Sequence, residues 1–399
     1  MIYDIIIIGA GPAGMSAAIT AARNKKRVCL IEHKERVGKK ILSTGNGKCN
    51  ITNMNISREC YFSSSDKDFY KVIEKFGPDD VRNFFMSMGL VTKSKNGYVY
   101  PNSEQASSVL DALRFELDNY SIDVMTDTDI HSITMKNNIF NLSTGKGKHL
   151  CAKKLIVAAG SKCAPKTGSD GSGYDIAGNF GHRIVKVIPA LVQIICKEGF
   201  FKEIQGVRTD AIINVYDNDT IIASERGELQ LTAYGISGIP VFILSRTIKR
   251  IIDLGHKPYV IIDLVPDLSE NDLENIIKNI KLHNSNIDMS VVLGGIINKK
   301  LANLIAKITK NMSIVHVAHT IKNFKATPTD TNGFDNAQVC AGGVSLDEIN
   351  LDTMESIKVP NLYFAGEILD VDGKCGGYNL QWAFSSGVLA GKSASERDI

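Results

Sequence analysis

Residues Ile5–Gly14 read IIIIGAGPAG. Four consecutive isoleucines suit a strand buried on both faces. Gly9-x-Gly11-x-x-Gly14 follows at once, and Met15, Ala18, Ile19 and Ala22 then recur at helical spacing. Arg27–Ile31 reads as a second strand, closed by Glu32. Strand, glycine-rich turn, helix and strand predict a parallel βαβ unit. In such a unit Gly9 permits the tight turn, Gly11 lets a pyrophosphate approach the backbone, and Gly14 lets helix and strand pack closely. Pro12 and Ala13 complete the turn, and the positive end of the helix meets the phosphates. Glu32 accepts hydrogen bonds from ribose hydroxyls and disfavours a 2′-phosphate, so NADP is not expected in this site.

Working outward, 399 residues predict two or three domains. The formal charge of +3 is small for this size, and the short basic clusters at 24–27, 34–40 and 298–300 read as solvated faces, so no nucleic-acid partner is expected. The eight cysteines are scattered without a C-x-x-C pair, which fits free thiols, a reducing cytoplasmic setting and no metal site. No secretory leader or membrane-length apolar run is evident. The oligomeric state is left open.

Further along, 67–90 reads as helical. Ser103 is expected to cap a helix carrying Val109, Leu110, Leu113 and Leu117, and Ile122–Met125 and Lys154–Ala158 read as strands. From about Pro189 the pattern alternates, with Asp217–Asp219 as a hairpin turn. Amphipathic helices follow, with Leu273, Ile276, Ile277 and Ile280 in register in the first. Strand-like SIVHVAHTIKNFKAT (Ser313–Thr327) then returns the chain to parallel-sheet texture. The expected fold is α/β: a Rossmann-like FAD-binding domain (1–188 and 327–399), an inserted antiparallel β-barrel-like domain (189–265 and 312–326) and a small helical cap (266–311).

The far end separates FAD from NAD. VPNLYFAGEILD (Val359–Asp370) is an apolar strand running into Gly366–Glu367, resembling the second FAD fingerprint with Glu367 in place of Asp. KLIVAAGS (Lys154–Ser161) resembles the intervening element, with Ala158, Ala159 and Gly160 at the strand end. Gly376-Gly377-Tyr378-Asn379-Leu380 opens the last helix and is expected to aim its N-terminus at the flavin N1–C2=O edge. FAD is the expected cofactor, gripped near both chain ends.

The chain resembles the YhiN family of FAD-binding proteins, which includes aminoacetone oxidase-like and BaiN-like flavoproteins. The matching stretches run from GAGPAG through GKKILSTGNGKCNITN, YVYPNSEQASSVLDAL, VAAGS and GELQLTAYGISGIPV to AGGVSLDEINLDTMESIKVPNLYFAGEILDVDGKCGGYNLQWAFSSG. STGNGKCN departs from the common Ser-Gly-Gly-Gly-Arg-Cys-Asn, and Lys48 keeps the charge without arginine's fork. Tyr234 stands where the family often has His. The resemblance implies an FAD-dependent oxidoreductase with its small-molecule substrate entering between domains. It implies an NAD(P)H-using reductase of a small or steroid-like substrate, with NADH or NADPH docking transiently. An oxygen-using oxidase of a small amine, and a tRNA-linked flavoprotein, are the alternatives.

Lys39, Lys40 and the loop Ser43, Thr44, Gly45, Asn46, Gly47, Cys49 and Asn50 are candidate cofactor contacts, because FAD enzymes thread a loop beneath the flavin at this point. Ile130 and Asp370 join them. Cys49 and Cys60 are too far apart in sequence for a C-x4-C redox pair. His182, His316 and His319 are acid–base candidates whose ordinary reading is structural. No catalytic residue is assigned.

Overall fold

The computed structural model describes residues 2–145 and 147–396, with the Asn46 side chain outside the described residues. Ile5, Ile6 and Ile7 are fully buried in β1 (Ile2–Ile8), as a central strand requires. The Gly-rich turn leads into α1 (Pro12–Arg23) and then β2 (Val28–Ile31), which pairs parallel to β1 with Ile5 opposite Val28. α2 (Ala106–Asn119) precedes β3 (Asp123–Met125), which extends the sheet beyond β2. β4 (His149–Val157) lies on the other side of β1, and β5 (Leu362–Phe364) beside β4, all parallel. The parallel order is therefore β5-β4-β1-β2-β3, a Rossmann-type arrangement. The last helix among the described residues is α3 (Tyr378–Glu396).

The chain forms two compact units, Met1–Ile188 with Val339–Ile399, and Pro189–Gln338. The second holds a seven-stranded antiparallel sheet and five helices of six or more residues over a separate core that includes Ile213, Leu229, Ile262, Ile277 and Ile305. Its longest hairpin turns at Asn218 and Asp219, both left-handed, as a tight two-residue turn requires.

Three local expectations change. Ser313–Thr327 is mostly helix, Ile314–Lys322, with strand only at Phe324–Ala326. Ser313 caps the His316 N–H, and Val317, Ala318 and Ile321 are buried at helical spacing, which outweighs β-branched content. The chain re-enters the first unit at Val339 rather than near 327, because Pro328–Thr331 pairs with Ile194–Cys196 in the second sheet. Gln105, not Ser103, sits at the N-cap of α2, and the Ser103 hydroxyl bonds Ser108 instead.

Candidate cofactor site

The three fingerprint glycines have different tasks. A Cβ on Gly9 would lie 2.4 Å from the Ala158 carbonyl oxygen, and Gly9 has φ +98°, so the turn and β4 exclude a side chain there. A Cβ on Gly14 would lie 1.8 Å from the Gly9 carbonyl oxygen, so helix and turn touch directly. A Cβ on Gly11 would meet nothing within 4 Å. Gly11 thus faces open space at the start of α1, at the positive end of the helix. The Glu32 carboxylate turns back to this place, accepting from the Ala10 N–H at 3.0 Å and the Lys34 N–H at 2.9 Å.

The second cradle opens α3. Gly377 has φ +93°, and a Cβ there would lie 2.6 Å from the Thr52 carbonyl oxygen and 2.9 Å from Asn50 Oδ1. Asn50 Oδ1 is buried without a hydrogen-bond partner, an acceptor that suits a ring N–H. Asn53 Nδ2 donates to the Gly376 carbonyl at 3.0 Å, fixing the approach to the helix.

Small residues let α3 pack directly on α1. On α3, a Cβ at Gly387 would lie 2.3 Å from Ser16 Oγ, and at Gly391 2.4 Å from the Ala17 carbonyl oxygen. α3 therefore lies directly on α1. Trp382 Nε1 donates to the Gly366 carbonyl at 3.1 Å, and the Gly366 N–H donates to Ser386 Oγ at 2.9 Å. Helix α3 is thereby tied to the turn after β5.

At that turn Glu367 forms a tight network. Lys40 Nζ lies 2.6 Å from Oε2, with the two side chains only 21% and 18% exposed. Oε1 accepts from Ser161 Oγ at 2.7 Å, Cys163 Sγ at 2.9 Å and the Cys340 N–H at 3.0 Å. Burial pushes the carboxyl up, but the Lys40 charge and these hydrogen bonds outweigh it and hold Glu367 below the usual carboxylate range. Lys40 is also opposed by burial, yet Glu367 and Cys163 raise it above the ordinary lysine value.

The HI0933-like protein Rossmann domain, as a family model, matches residues 3–393. The chain belongs to the HI0933-like family. This HI0933-like protein is 40% identical to the 3-dehydro-bile acid delta(4,6)-reductase of Clostridium scindens, over 98% of each chain. It is 29% identical to the ribosomal RNA dihydrouridine synthase of Escherichia coli, over 96% of each. Its fold is that of the 3-ketosteroid-delta4-(5alpha)-dehydrogenase of Rhodococcus jostii, with a TM-score of 0.50 and 14% identity over 99% of this chain and 97% of the other. The expected family resemblance is borne out, and with it an FAD-dependent oxidoreductase. The residues fit FAD: an open anion cradle at Gly11, a carboxylate at Glu32, and an unpartnered buried acceptor beside a second helix start.

Other predicted positions in this HI0933-like protein fall into two groups. Near the cradles, Asp370 Oδ2 accepts from the Ser64 N–H at 3.0 Å and from the Ser64 hydroxyl. Gly160, at φ +75°, packs against Ser169, and Ala158 and Ala159 line the end of β4. Cys49 is buried, and burial pushes its thiol up to about 11. Ser43 and Thr44 hydroxyls bond back to the Lys40 and Ile41 carbonyls, leaving Gly45 and Gly47 as the bend. Tyr378 packs edge-on against Tyr61, 5.9 Å between centroids, and Asn379 closes on Gly373 through both its amide atoms. Leu380 is half-buried against the core. Gln381 is tied to Thr52, Phe76 and Ser385.

The second group has local partners. Lys39 pairs with Glu35, and Lys48 with Glu104, both at the surface. Ile130 opens the hairpin strand Ile130–Lys136. His182 is buried against Ser356 and Glu348, while His316 and His319 bond Ser313 and Glu270 on exposed helices. Sequence reasoning missed Ser161, Cys163, Cys340 and Tyr174. Of these, Ser161 ends the quoted VAAGS stretch and Cys340 directly precedes the quoted AGGVSL stretch.

Proposed function

We propose that this protein is an NAD(P)H-using, FAD-dependent reductase of a carbon–carbon double bond conjugated to a carbonyl in a steroid-like substrate. The observation that carries the reading is the 40% identity, across 98% of both chains, with a 3-dehydro-bile acid delta(4,6)-reductase. A 3-dehydro group conjugated with 4,6 double bonds lets negative charge move onto the carbonyl oxygen as hydride reaches carbon. Bound FAD supplies the hydride carrier. The chain supplies binding and electrostatics: Gly11 and α1 for the phosphates, Glu32 for ribose, and the start of α3 with Asn50 for the ring system. A second G-x-G-x-x-G after a strand is missing from the sequence, so the nicotinamide donor docks transiently. Eight free thiols support a cytoplasmic setting.

The test is anaerobic. NADH or NADPH should bleach the flavin, and a 3-dehydro steroid with 4,6 double bonds should restore its colour while losing its own conjugated absorbance. A nicotinamide-reduced flavin indifferent to the steroid overturns this reading.

A second reading has its own support in the 29% identity over 96% of both chains with a ribosomal RNA dihydrouridine synthase. The uracil double bond is likewise conjugated to a carbonyl, so the same hydride chemistry serves. This reopens the nucleic-acid partner that net charge argued against. Reoxidation of the reduced flavin by unmodified ribosomal RNA, with dihydrouridine formed, selects it over the steroid.

A further inference from the structure

Two buried thiols beside Glu367 are not themselves candidate cofactor contacts. Cys163 lies in the loop after β4, and Cys340 in the strand Val339–Val344. Their Sγ atoms and a Glu367 carboxylate oxygen all lie within 4.8 Å of one another. Lys40 Nζ is 2.9 Å from Cys163 Sγ, and Ser161 Oγ is 3.1 Å from it. The Tyr174 hydroxyl is buried without a hydrogen-bond partner, and burial above all, with the nearby Cys340 and Glu367, pushes it well above the ordinary tyrosine value.

Two thiols and a carboxylate have the chemistry of metal ligands. Here an ammonium already sits among them, and its charge opposes a divalent cation. Thiol oxidation meets no such obstacle. The neighbouring Cys163 holds Cys340 below the ordinary thiol value against the pull of burial, whereas burial keeps Cys163 protonated. Both cysteines are themselves buried, so a small oxidant must enter past the Lys40 and Glu367 side chains, which are 21% and 18% exposed.

We propose that Cys163 and Cys340 form a reversible disulfide when the protein meets a hydroperoxide, making the FAD cradle oxidant-sensitive. Cys340 gives up its thiol proton and its sulfur attacks a peroxide oxygen; the S–O bond forms, the O–O bond breaks, and the departing hydroxide takes that proton as water. Cys163 sulfur then attacks the sulfenic sulfur; S–S forms, S–O breaks, and the second hydroxide leaves with the Cys163 proton as water. Two thiols lose two electrons, and hydrogen peroxide becomes two waters. From 4.8 Å at most, the sulfurs close by no more than about 3 Å to reach a bond. The bridge removes the Cys163 S–H donor from Glu367, at the turn after β5.

The experiment treats the FAD-loaded protein with a small excess of hydrogen peroxide, then alkylates, digests and maps it by mass. The expected result is one Cys163–Cys340 linked peptide, free thiols falling from eight to six (8 − 2), and full reversal by dithiothreitol. The flavin absorption band should shift in step with the bridge. Cys340→Ser should abolish the link and the shift; the wild-type map stands without it if that variant does not fold. Both thiols remaining alkylatable at a dose that oxidises the partly exposed Cys60, a bridge between other cysteines, or a bridge that leaves the flavin band unmoved overturns the proposal.

Discussion

Replacing Gly11 by Ala should separate cofactor binding from folding. Gly11 has φ −80° and ψ −172°, an extended conformation open to any residue. The added methyl meets nothing within 4 Å, so the polypeptide has no reason to shift. The unfolded chain loses freedom, so the apoprotein should be unchanged or more stable by about 0.4–1 kcal/mol. The methyl does occupy the approach to the N–H groups at the start of α1. Losing one hydrogen bond to a charged phosphate costs about 1.5–3 kcal/mol. At about 1.4 kcal/mol per factor of ten, FAD should bind roughly 10–150-fold more weakly. Gly14→Ala is the contrast: its methyl would stand 1.8 Å from the Gly9 carbonyl oxygen, so the apoprotein itself should lose about 3 kcal/mol or more. The assay is titration of deflavinated protein by FAD fluorescence quenching, with thermal unfolding of each apoprotein. An unchanged FAD affinity in Gly11→Ala, or a collapse of its apoprotein Tm, would refute the division of labour among these glycines.

Gly387→Val and Gly391→Val should each cost about 1–3 kcal/mol by forcing α3 off α1, where contacts of 2.3 and 2.4 Å leave no room; an undiminished urea midpoint argues against that packing. Glu367→Gln removes the carboxylate that faces the partly buried Lys40 ammonium and should cost about 1.5–3 kcal/mol, part of which Lys40→Met should restore in the double variant. Because Glu367 sits below its ordinary value in the fold, its contribution is complete above about pH 4.3 and fades as pH falls through the folded value. Acid titration of wild type should therefore show a stability loss below about pH 4.3 that Glu367→Gln lacks. Burial holds the His182 imidazole below its ordinary value, so the unfolded chain takes the proton first. Stability should be full above about pH 6.5 and decline as pH drops toward the folded value, and His182→Gln should flatten that decline in a series of Tm measurements.

The βαβ unit was readable because its instructions are local. Four buried isoleucines, three glycines at fixed offsets and a closing carboxylate each constrain only their neighbours. The hairpin at Asn218–Asp219 was readable for the same reason. Ser313–Lys322 was misread because β-branched residues at helical spacing satisfy both patterns, and only the Ser313 cap and burial against a second core choose between them.

The sequence by itself determined that a strand, glycine turn and helix open the chain and that a long glycine-led helix lies near its other end, since backbone freedom and hydrophobic period are properties of short segments. Only the tertiary structure separated the two adjacent lysines: Lys39 pairs with the exposed Glu35, and Lys40 with the largely buried Glu367. It also joined Gly387 to Ser16, and Cys163 to the neighbourhood of Cys340, pairs far apart in the chain. Such meetings follow from how the sheet and helices bury their apolar faces together, a sum over the whole core that no local spacing records.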